Sequence, residues 1–245
     1  MEWSEQDGVR WLEADLPAAR AAFSTRIGGV SQAPYDSLNV AILTGDDLGR
    51  VRENRIKLTR ALGRNPDGVL MGRQVHGSGL RRHRRRQHPR VYAEAVRSPE
   101  EVDAHSTANP ELTPLVVTAD CLPVAMVGPE GVVMAHCGWR GLAAGIVAEA
   151  AEAVEAFAAA IGPGIGPCCY EVGEEVLEEF ADLDGVAEGR MLDLTAVARS
   201  LLARAGVTEV ESADLCTSCN PELFFSHRRD GEKTGRQAGL AWMER

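Results

Sequence analysis

Apolar and polar positions along this chain fall into two rhythms. Short runs that alternate, or stay apolar for five to eight residues, predict strands. Such runs occupy 19–25 ("ARAAFST"), 69–75 within "GVLMGRQVHG", 114–118 and 122–127 within "TPLVVTADCLPVAMVG", and 131–136 ("GVVMAH"). Others lie near 207–212, 222–227 and 236–243. Pro123 has no amide donor, so the 122–127 strand is expected at an edge or in an irregular ladder. Helical spacing of Leu48, Val51, Ile56, Leu58 and Leu62 predicts a helix over 47–62, with Gly63 as its stop. The alanine-rich stretch 142–158 predicts a second helix, broken by "IGPGIGPCCYEVG", and helices at 171–180 and 193–205 follow. Strands and helices alternate irregularly with several hairpin-sized connections. That pattern favours an α+β architecture, mixed β-sheets with outer helices, over a doubly wound parallel sheet. No linker or repeat divides the chain, so a single domain over 1–245 is expected.

Composition narrows the classes without choosing a function. The 44% apolar and 25% charged content is that of an ordinary soluble protein. No apolar stretch approaches the length of a membrane span, and the N-terminus lacks the basic start and apolar core of a secretory signal. The cytoplasm is the expected location, a monomer the expected state, and no membrane partner is foreseen. A net charge of −10 argues against nucleic acid, which needs a basic face. One segment runs against that balance: "RRHRRRQHPR", residues 81–90, reads as a solvated basic loop.

Three candidate metal ligands lie at the end or break of predicted strands: His76 in "QVHG", Cys121 in "TADC" and His136 in "AHCGWRG". Imidazole and thiolate suit zinc, and a catalytic zinc keeps three protein ligands and one open position. The spacing alone does not fix such a site, and a strand-end histidine is commonly a structural group. Asp120 could orient a ligand or accept a proton, or cap nearby backbone amides as a turn residue. Cys121 could instead be a nucleophile with His76 or His136 as its base. Cys137 is expected in the core, because strand alternation turns it away from His136. "CTSC" (216–219) with Cys168-Cys169 could build a four-thiolate zinc site, although the second pair lacks the usual spacing. His227, Arg228 and Arg229 in "FFSHRRDGEKTGRQ" could bind an anion or form a surface turn.

Taken in order, "FSTRIGGVS", "PYDSLNVA", "VRENR", "QVHG", "VTADCLPV", "AHCGWRGLAAGI", "GPGIGPCCYEVG", "LDL", "CT" and "FFSHRRDGEKTGRQAG" resemble the YfiH-type family over about residues 22–243. Its members are also called laccase-domain or polyphenol oxidase proteins, and purine nucleoside phosphorylases. The resemblance implies an α/β/β/α-layered fold shared with a group of cysteine hydrolases. It implies a catalytic zinc on His76, Cys121 and His136, with Asp120 in support. It implies phosphorolysis of adenosine, inosine, guanosine and methylthioadenosine by inorganic phosphate, with deamination of adenosine. An older description of the family is copper-dependent oxidation of phenols. A multicopper mechanism needs several metal centres, and this chain has six histidines, two of them in the basic run. Nucleoside chemistry is therefore the better expectation, with copper oxidation or a Cys–His thiol hydrolase as alternatives. Asn39 and Arg55 are expected on the phosphate and substrate side of the pocket, with Arg26 and Arg228 as further candidates. The chain departs from the family pattern at Cys137, where alanine is usual, and at 81–90, where an apolar strand is usual. Six arginines cannot be core there, so the run is either an unusual loop or a segment read in a shifted frame.

Overall fold

The computed structural model describes residues 1–88, 90–98 and 100–244. The basic run is therefore described except at Pro89, and Arg245 lies outside the described residues. In chain order the first half contains β1 (Glu2–Gln6), β2 (Val9–Leu16), β3 (Ala19–Ser24), α1 (Leu48–Ala61), β4 (Val69–Leu70), β5 (Leu80–Arg82), β6 (Ala104–Thr107) and β7 (Thr113–Thr118). Next come β8 (Leu122–Gly128), β9 (Gly131–Cys137), α2 (Trp139–Ala143), α3 (Ile146–Val154), β10 (Ala158–Ile161) and α4 (Glu174–Glu178). The chain continues through β11 (Ala187–Glu188), β12 (Met191–Leu192), α5 (Leu194–Arg204), β13 (Glu209–Ser212), α6 (His227–Asp230) and β14 (Gln237–Met243). Among the described residues these build two six-stranded sheets, β1-β2-β3-β14-β7-β4 and β13-β10-β8-β9-β6-β5, and the small hairpin β11-β12. Both large sheets are mixed: β4 runs parallel to β7, β5 to β6 and β10 to β13, while their other pairings are antiparallel. This is the α+β arrangement that the irregular alternation of elements implies.

The apolar pattern explains the packing. Alternate residues of the first sheet, among them Ala21, Phe23, Val116 and Ala241, pack with Ala125, Val127, Met134 and Ala160 of the second. The opposite side of β8 and β9, including Val124, Met126, Val133 and Cys137, meets Ile146, Val147, Ala150 and Val154 of α3 and Val197 and Leu202 of α5. Leu58 and Ala61 of α1 join Trp11, Leu115, Leu240 and Trp242 of the first sheet. Every residue of β8 and β9 is buried, which requires the near-continuous apolar runs seen in the sequence. Helix α1 begins at Asp47, whose carboxylate accepts the Arg50 N–H at 2.9 Å, and the chain turns away at Gly63 with φ +62°.

Several expectations are corrected by the structure. Pro123 lies in a central strand, not at an edge. His136 opposite it donates its N–H to Asp103 O at 2.8 Å, on the far side of β9, so Pro123 is not asked for a donor in that pairing. The stretch 142–158 is not one helix: Gly145 at φ +88° divides α2 from α3, and Ala158 begins strand β10. The strand expected at 69–75 ends after Leu70, and 222–227 holds turns leading into α6. The basic run is not wholly a loop, because Arg81 and Arg82 end β5, paired with β6 at the sheet edge. Their side chains are exposed, and His83 beyond them is buried with its Nε2 at 3.0 Å from His105 Nδ1. An edge strand with both arginines in solvent and one buried histidine after them can therefore be basic without charging the core.

Candidate metal centre and substrate cavity

The hairpin β8-β9 and two loops before it bring His76, Cys121 and His136 together. Cys121 immediately precedes β8, His136 is the penultimate residue of β9, and their strands pair in register from Leu122 opposite Cys137. His76 enters from the segment after β4. One ligand atom from each of the three lies within 4.8 Å of the others, and the two imidazoles meet edge to face with centroids 4.8 Å apart. His76 has φ +61° and Asp120 has φ +95°, conformations that L-residues rarely adopt and that turn Cys121 and His76 toward one point. Gly138 closes the cluster from the start of α2. A Cβ there would stand 2.9 Å from Cys121 Sγ and 3.2 Å from His76 Cδ2, so any side chain would push these two groups from their places.

The carboxylate that organises this centre is Asp103, just before β6. Its Oδ1 accepts the His76 N–H at 3.0 Å and the His136 Nδ1–H at 2.8 Å. Its Oδ2 accepts the N–H groups of Val75 at 3.1 Å and Gly77 at 2.9 Å. Burial opposes its ionisation, but the His136 ring and these backbone donors outweigh it and hold the carboxyl below its ordinary range. With Nδ1–H committed to Asp103, Nε2 is the basic nitrogen of a neutral His136, ready for a metal. Burial likewise opposes charge on Cys121 and on His136. The attraction between them, with hydrogen bonds from both histidines to the sulfur and from His136 to Asp103, lowers the thiol and raises the imidazole. The pair therefore leans toward thiolate and imidazolium when no metal competes for it. This donor set, two imidazoles and a thiolate, can hold a borderline-soft ion such as zinc.

The cluster forms the floor of a cavity of about 440 Å³, inside the ~300–1,000 Å³ range of small-molecule sites. Arg140, Arg228, Arg236, Tyr170 and Trp139 stand among its walls. Arg228 lies over the Tyr170 ring, 5.0 Å from its centroid, and its Nη1 donates to Cys169 O at 3.1 Å and Glu171 O at 3.0 Å. Burial pushes the Tyr170 phenol up to about 12.

Of the residues singled out from sequence, His76, Cys121, His136, Asp120, His227 and Arg228 line this cavity. Asp120, however, does not touch the imidazoles with its carboxylate. It accepts the Thr217 Oγ1–H at 2.6 Å and the Arg228 N–H at 2.7 Å, and so ties α6 to the floor of the cavity. Asn39, Arg55 and Arg26 do not line it, each for a visible reason. Asn39 is fully buried, and its Oδ1 accepts the N–H groups of Ala41 and Arg236. Arg55 is buried and donates to Val40 O at 2.7 Å, Val91 O at 3.1 Å and Tyr92 O at 2.9 Å; its Nη2 is unpartnered, and the residue lines an adjoining cavity of about 160 Å³ that shares Gln74, Val117 and Arg236 with the first. Arg26 donates to Asp36 O and Pro221 O and stacks on Phe225. Arg229 is spent on Thr217 O, Ser218 O, Phe224 O and Asp230. Cys137 is in the core, as strand alternation requires. Asp103, Tyr170 and Arg236 went unmarked. Only the rule that a metal-bound imidazole wants a carboxylate pointed to Asp103, and in "EEVDAHS" nothing separates it from Glu100 and Glu101.

A family model described as multi-copper polyphenol oxidoreductase laccase matches residues 20–244. The chain is 38% identical to purine nucleoside phosphorylase YfiH of Escherichia coli (strain K12), with 99% of this chain and 97% of the relative covered. A purine nucleoside phosphorylase of Pseudomonas aeruginosa is 37% identical, with 96% and 98% covered. The crystal structure of YlmD from Geobacillus stearothermophilus superposes with a TM-score of 0.88 at 32% identity, covering 99% and 98%. That of the hypothetical protein YfiH of Bacillus licheniformis superposes with a TM-score of 0.87 at 29% identity, covering 99% of each chain. The agreement extends over nearly the whole length in both sequence and fold, and the chain belongs to the YfiH-type family of polyphenol-oxidoreductase laccase-domain proteins.

Proposed function

We propose that this protein cleaves purine nucleosides with inorganic phosphate, giving the free base and ribose 1-phosphate, on a zinc centre of His76, Cys121 and His136. We assign it adenosine deamination as a further activity of the same site. The observation that carries this reading is the meeting of a two-imidazole, one-thiolate donor set with a wall of arginines in one cavity. The names of the relatives, purine nucleoside phosphorylases of matching length, support the same reaction.

The donors fit zinc, and three protein ligands leave a fourth position for a small oxygen ligand. When bound, zinc supplies Lewis acidity and brings the pKa of water to about 7, which deamination near neutral pH requires. The chain's own groups do the rest. Arg228 is held in one direction by two carbonyls, and with Arg140 and Arg236 it offers positive charge to a phosphate dianion. In phosphorolysis a phosphate oxygen bonds to the anomeric carbon as the glycosidic C–N bond breaks. The bonding pair leaves on the purine, which takes up a proton. Tyr170 keeps its proton at neutral pH and can donate a hydrogen bond to substrate. Asn39 holds the Arg236 backbone in place, and we assign it and Arg55 to support of this wall.

The test incubates pure zinc-loaded protein with adenosine, with and without phosphate, and follows adenine and inosine. Adenine that requires phosphate supports phosphorolysis, and inosine formed without it supports deamination. If neither product forms, both assignments fail.

A second reading has its own observation. Cys121, His136 and Asp103 form a hydrogen-bonded chain of thiol, imidazole and carboxylate, the order used by thiol hydrolases. It predicts an activity that survives chelation, whereas the zinc reading predicts loss with chelation and recovery on adding zinc. The polyphenol oxidase description would put copper at the same donors, and oxygen uptake with a phenol substrate by the copper-loaded protein tests it.

A further inference from the structure

Four of the six cysteines lie outside the centre described above and outside the core. Cys168 and Cys169 follow the turn at Gly166, where Cys169 N–H donates to Gly166 O at 3.0 Å. Cys216 and Cys219 lie 48 residues further along, in a loop after β13 that runs beside the first turn. Thr217 N–H donates to Gly164 O at 2.9 Å, and Gly164 pairs with Cys216 as an isolated bridge. The two loops thus bring the adjacent pair and the C-x-x-C together, although no spacing rule joins them in sequence. The four Sγ atoms lie within 4.8 Å of one another. Cys219 Sγ is 3.5 Å from Cys168 Sγ and 3.4 Å from Cys169 Sγ, far beyond a disulfide bond.

These separations match what a metal demands. Sulfurs at about 2.3 Å from a tetrahedral zinc stand roughly 3.8 Å apart along each edge. Two further features prepare the site. The N–H groups of Gly166 and Cys219 both donate to Cys216 Sγ and so fix where that sulfur points. A side chain at Gly166 would come 3.4 Å from Cys168 Sγ and 3.2 Å from Cys216 Cβ, so the glycine leaves the sulfurs room to converge. Cys168 and Cys219 are exposed, which gives an ion a path in.

We infer that Cys168, Cys169, Cys216 and Cys219 form a second, structural metal site that takes zinc as a four-thiolate complex, separate from the centre at His76, Cys121 and His136. Four thiols and one Zn²⁺ give the tetrathiolate dianion and four protons, with no redox change. All four positions are filled by protein, so this ion is structural and does not bind substrate. Its place explains its use. Tyr170 directly follows Cys169, Cys169 O holds Arg228 Nη1, and Thr217, between the other two ligands, donates to Asp120. The site staples together the two loops that present the cavity wall, and free energy from metal binding becomes stability of that wall.

The test uses the full-length reduced protein loaded with cobalt(II) as a spectroscopic stand-in for zinc. The expected spectrum contains the intense red-region bands and thiolate charge-transfer absorption of tetrahedral four-sulfur cobalt. Those bands persist in Cys121→Ser and disappear in Cys168→Ser/Cys219→Ser, which in parallel carries one zinc fewer per chain than wild type. A wild-type spectrum with no more than single-thiolate character overturns the proposal without any variant being made. So does equal zinc content in the double variant, or a Cys219 disulfide to Cys168 or Cys169 in zinc-replete protein.

Discussion

Replacing Asp103 with asparagine removes a charge from beneath the candidate metal centre while keeping its shape. The aspartate oxygens accept four hydrogen bonds, two each, from Val75, His76, Gly77 and His136. Asparagine keeps one oxygen, so two of these donors must face an amide NH₂ that cannot accept. Hydrogen bonds to a charged partner contribute about 1.5–3 kcal/mol each, so losing two costs about 3–6 kcal/mol. Against a total stability of about 5–15 kcal/mol that loss is large. In either orientation the His136 ring loses the negative charge beside its Nδ1–H, and outer carboxylates of this kind are worth roughly 10–100-fold in metal affinity. Urea denaturation of the metal-free protein measures the first effect, and competition for zinc with a chromogenic chelator measures the second. A variant with the wild-type urea midpoint and wild-type zinc affinity would refute the role of Asp103. A stability loss without an affinity loss would confine that role to the backbone at 75–77.

Other perturbations separate support from chemistry. Gly138→Ala puts a Cβ 2.9 Å from Cys121 Sγ, and it should weaken zinc binding in the same chelator assay while leaving the circular dichroism of the folded protein intact. Arg55→Met strands three buried carbonyls that the guanidinium now serves. It should cost on the order of 3–5 kcal/mol in thermal or urea unfolding, whereas a phosphate ligand at this position would instead raise the KM for phosphate in a stable protein. Burial, with the neighbouring His83, pushes His105 down to about 3, while its unfolded counterpart titrates near 6.5. Between those values the unfolded chain binds the extra proton, so this contribution is whole above pH 6.5 and is lost as pH falls toward 3. From pH 6.5 to 5 the loss is about 2 kcal/mol, and the fall in stability over that window should be shallower by that amount in His105→Asn.

The parts of the fold that were legible from the sequence are those where local preference and tertiary demand agree. The α1 stripe, its stop at Gly63 and the buried runs of β7, β8, β9 and β14 are of this kind. β10 is the opposite case. Alanine favours helices, yet Ala158–Ile161 is threaded between β8 and β13, with alternate residues packed against the first sheet and against the helices. Tertiary burial of small side chains overrides the local preference there. Two of the three candidate ligands were visible as strand ends, because Cys121 precedes β8 and His136 closes β9 beside it; His76 was expected at a strand end too, but it lies in the loop beyond β4, where Asp103 holds its backbone. Asp103 was not visible, because its role arises from backbone amides at 75–77 that only the folded loop directs toward it. The four-cysteine cluster was half visible: the C-x-x-C is a sequence pattern, but the approach of Cys168 and Cys169 depends on the pairing of Gly164 with Cys216. Asn39 and Arg55 stood out as polar groups in family-like motifs, and burial turned them inward to hold main-chain atoms instead.

The central claim is that the cavity over His76, Cys121 and His136 transfers the sugar of a purine nucleoside to phosphate on a metal. The most direct measurement is product analysis of adenosine turnover by zinc-loaded protein across a phosphate titration, repeated after chelation and after zinc is restored. The account predicts adenine and ribose 1-phosphate in equal amounts, rising with phosphate, lost on chelation and regained with zinc. Adenine release that ignores phosphate, or any turnover that persists in the chelated protein, would contradict it.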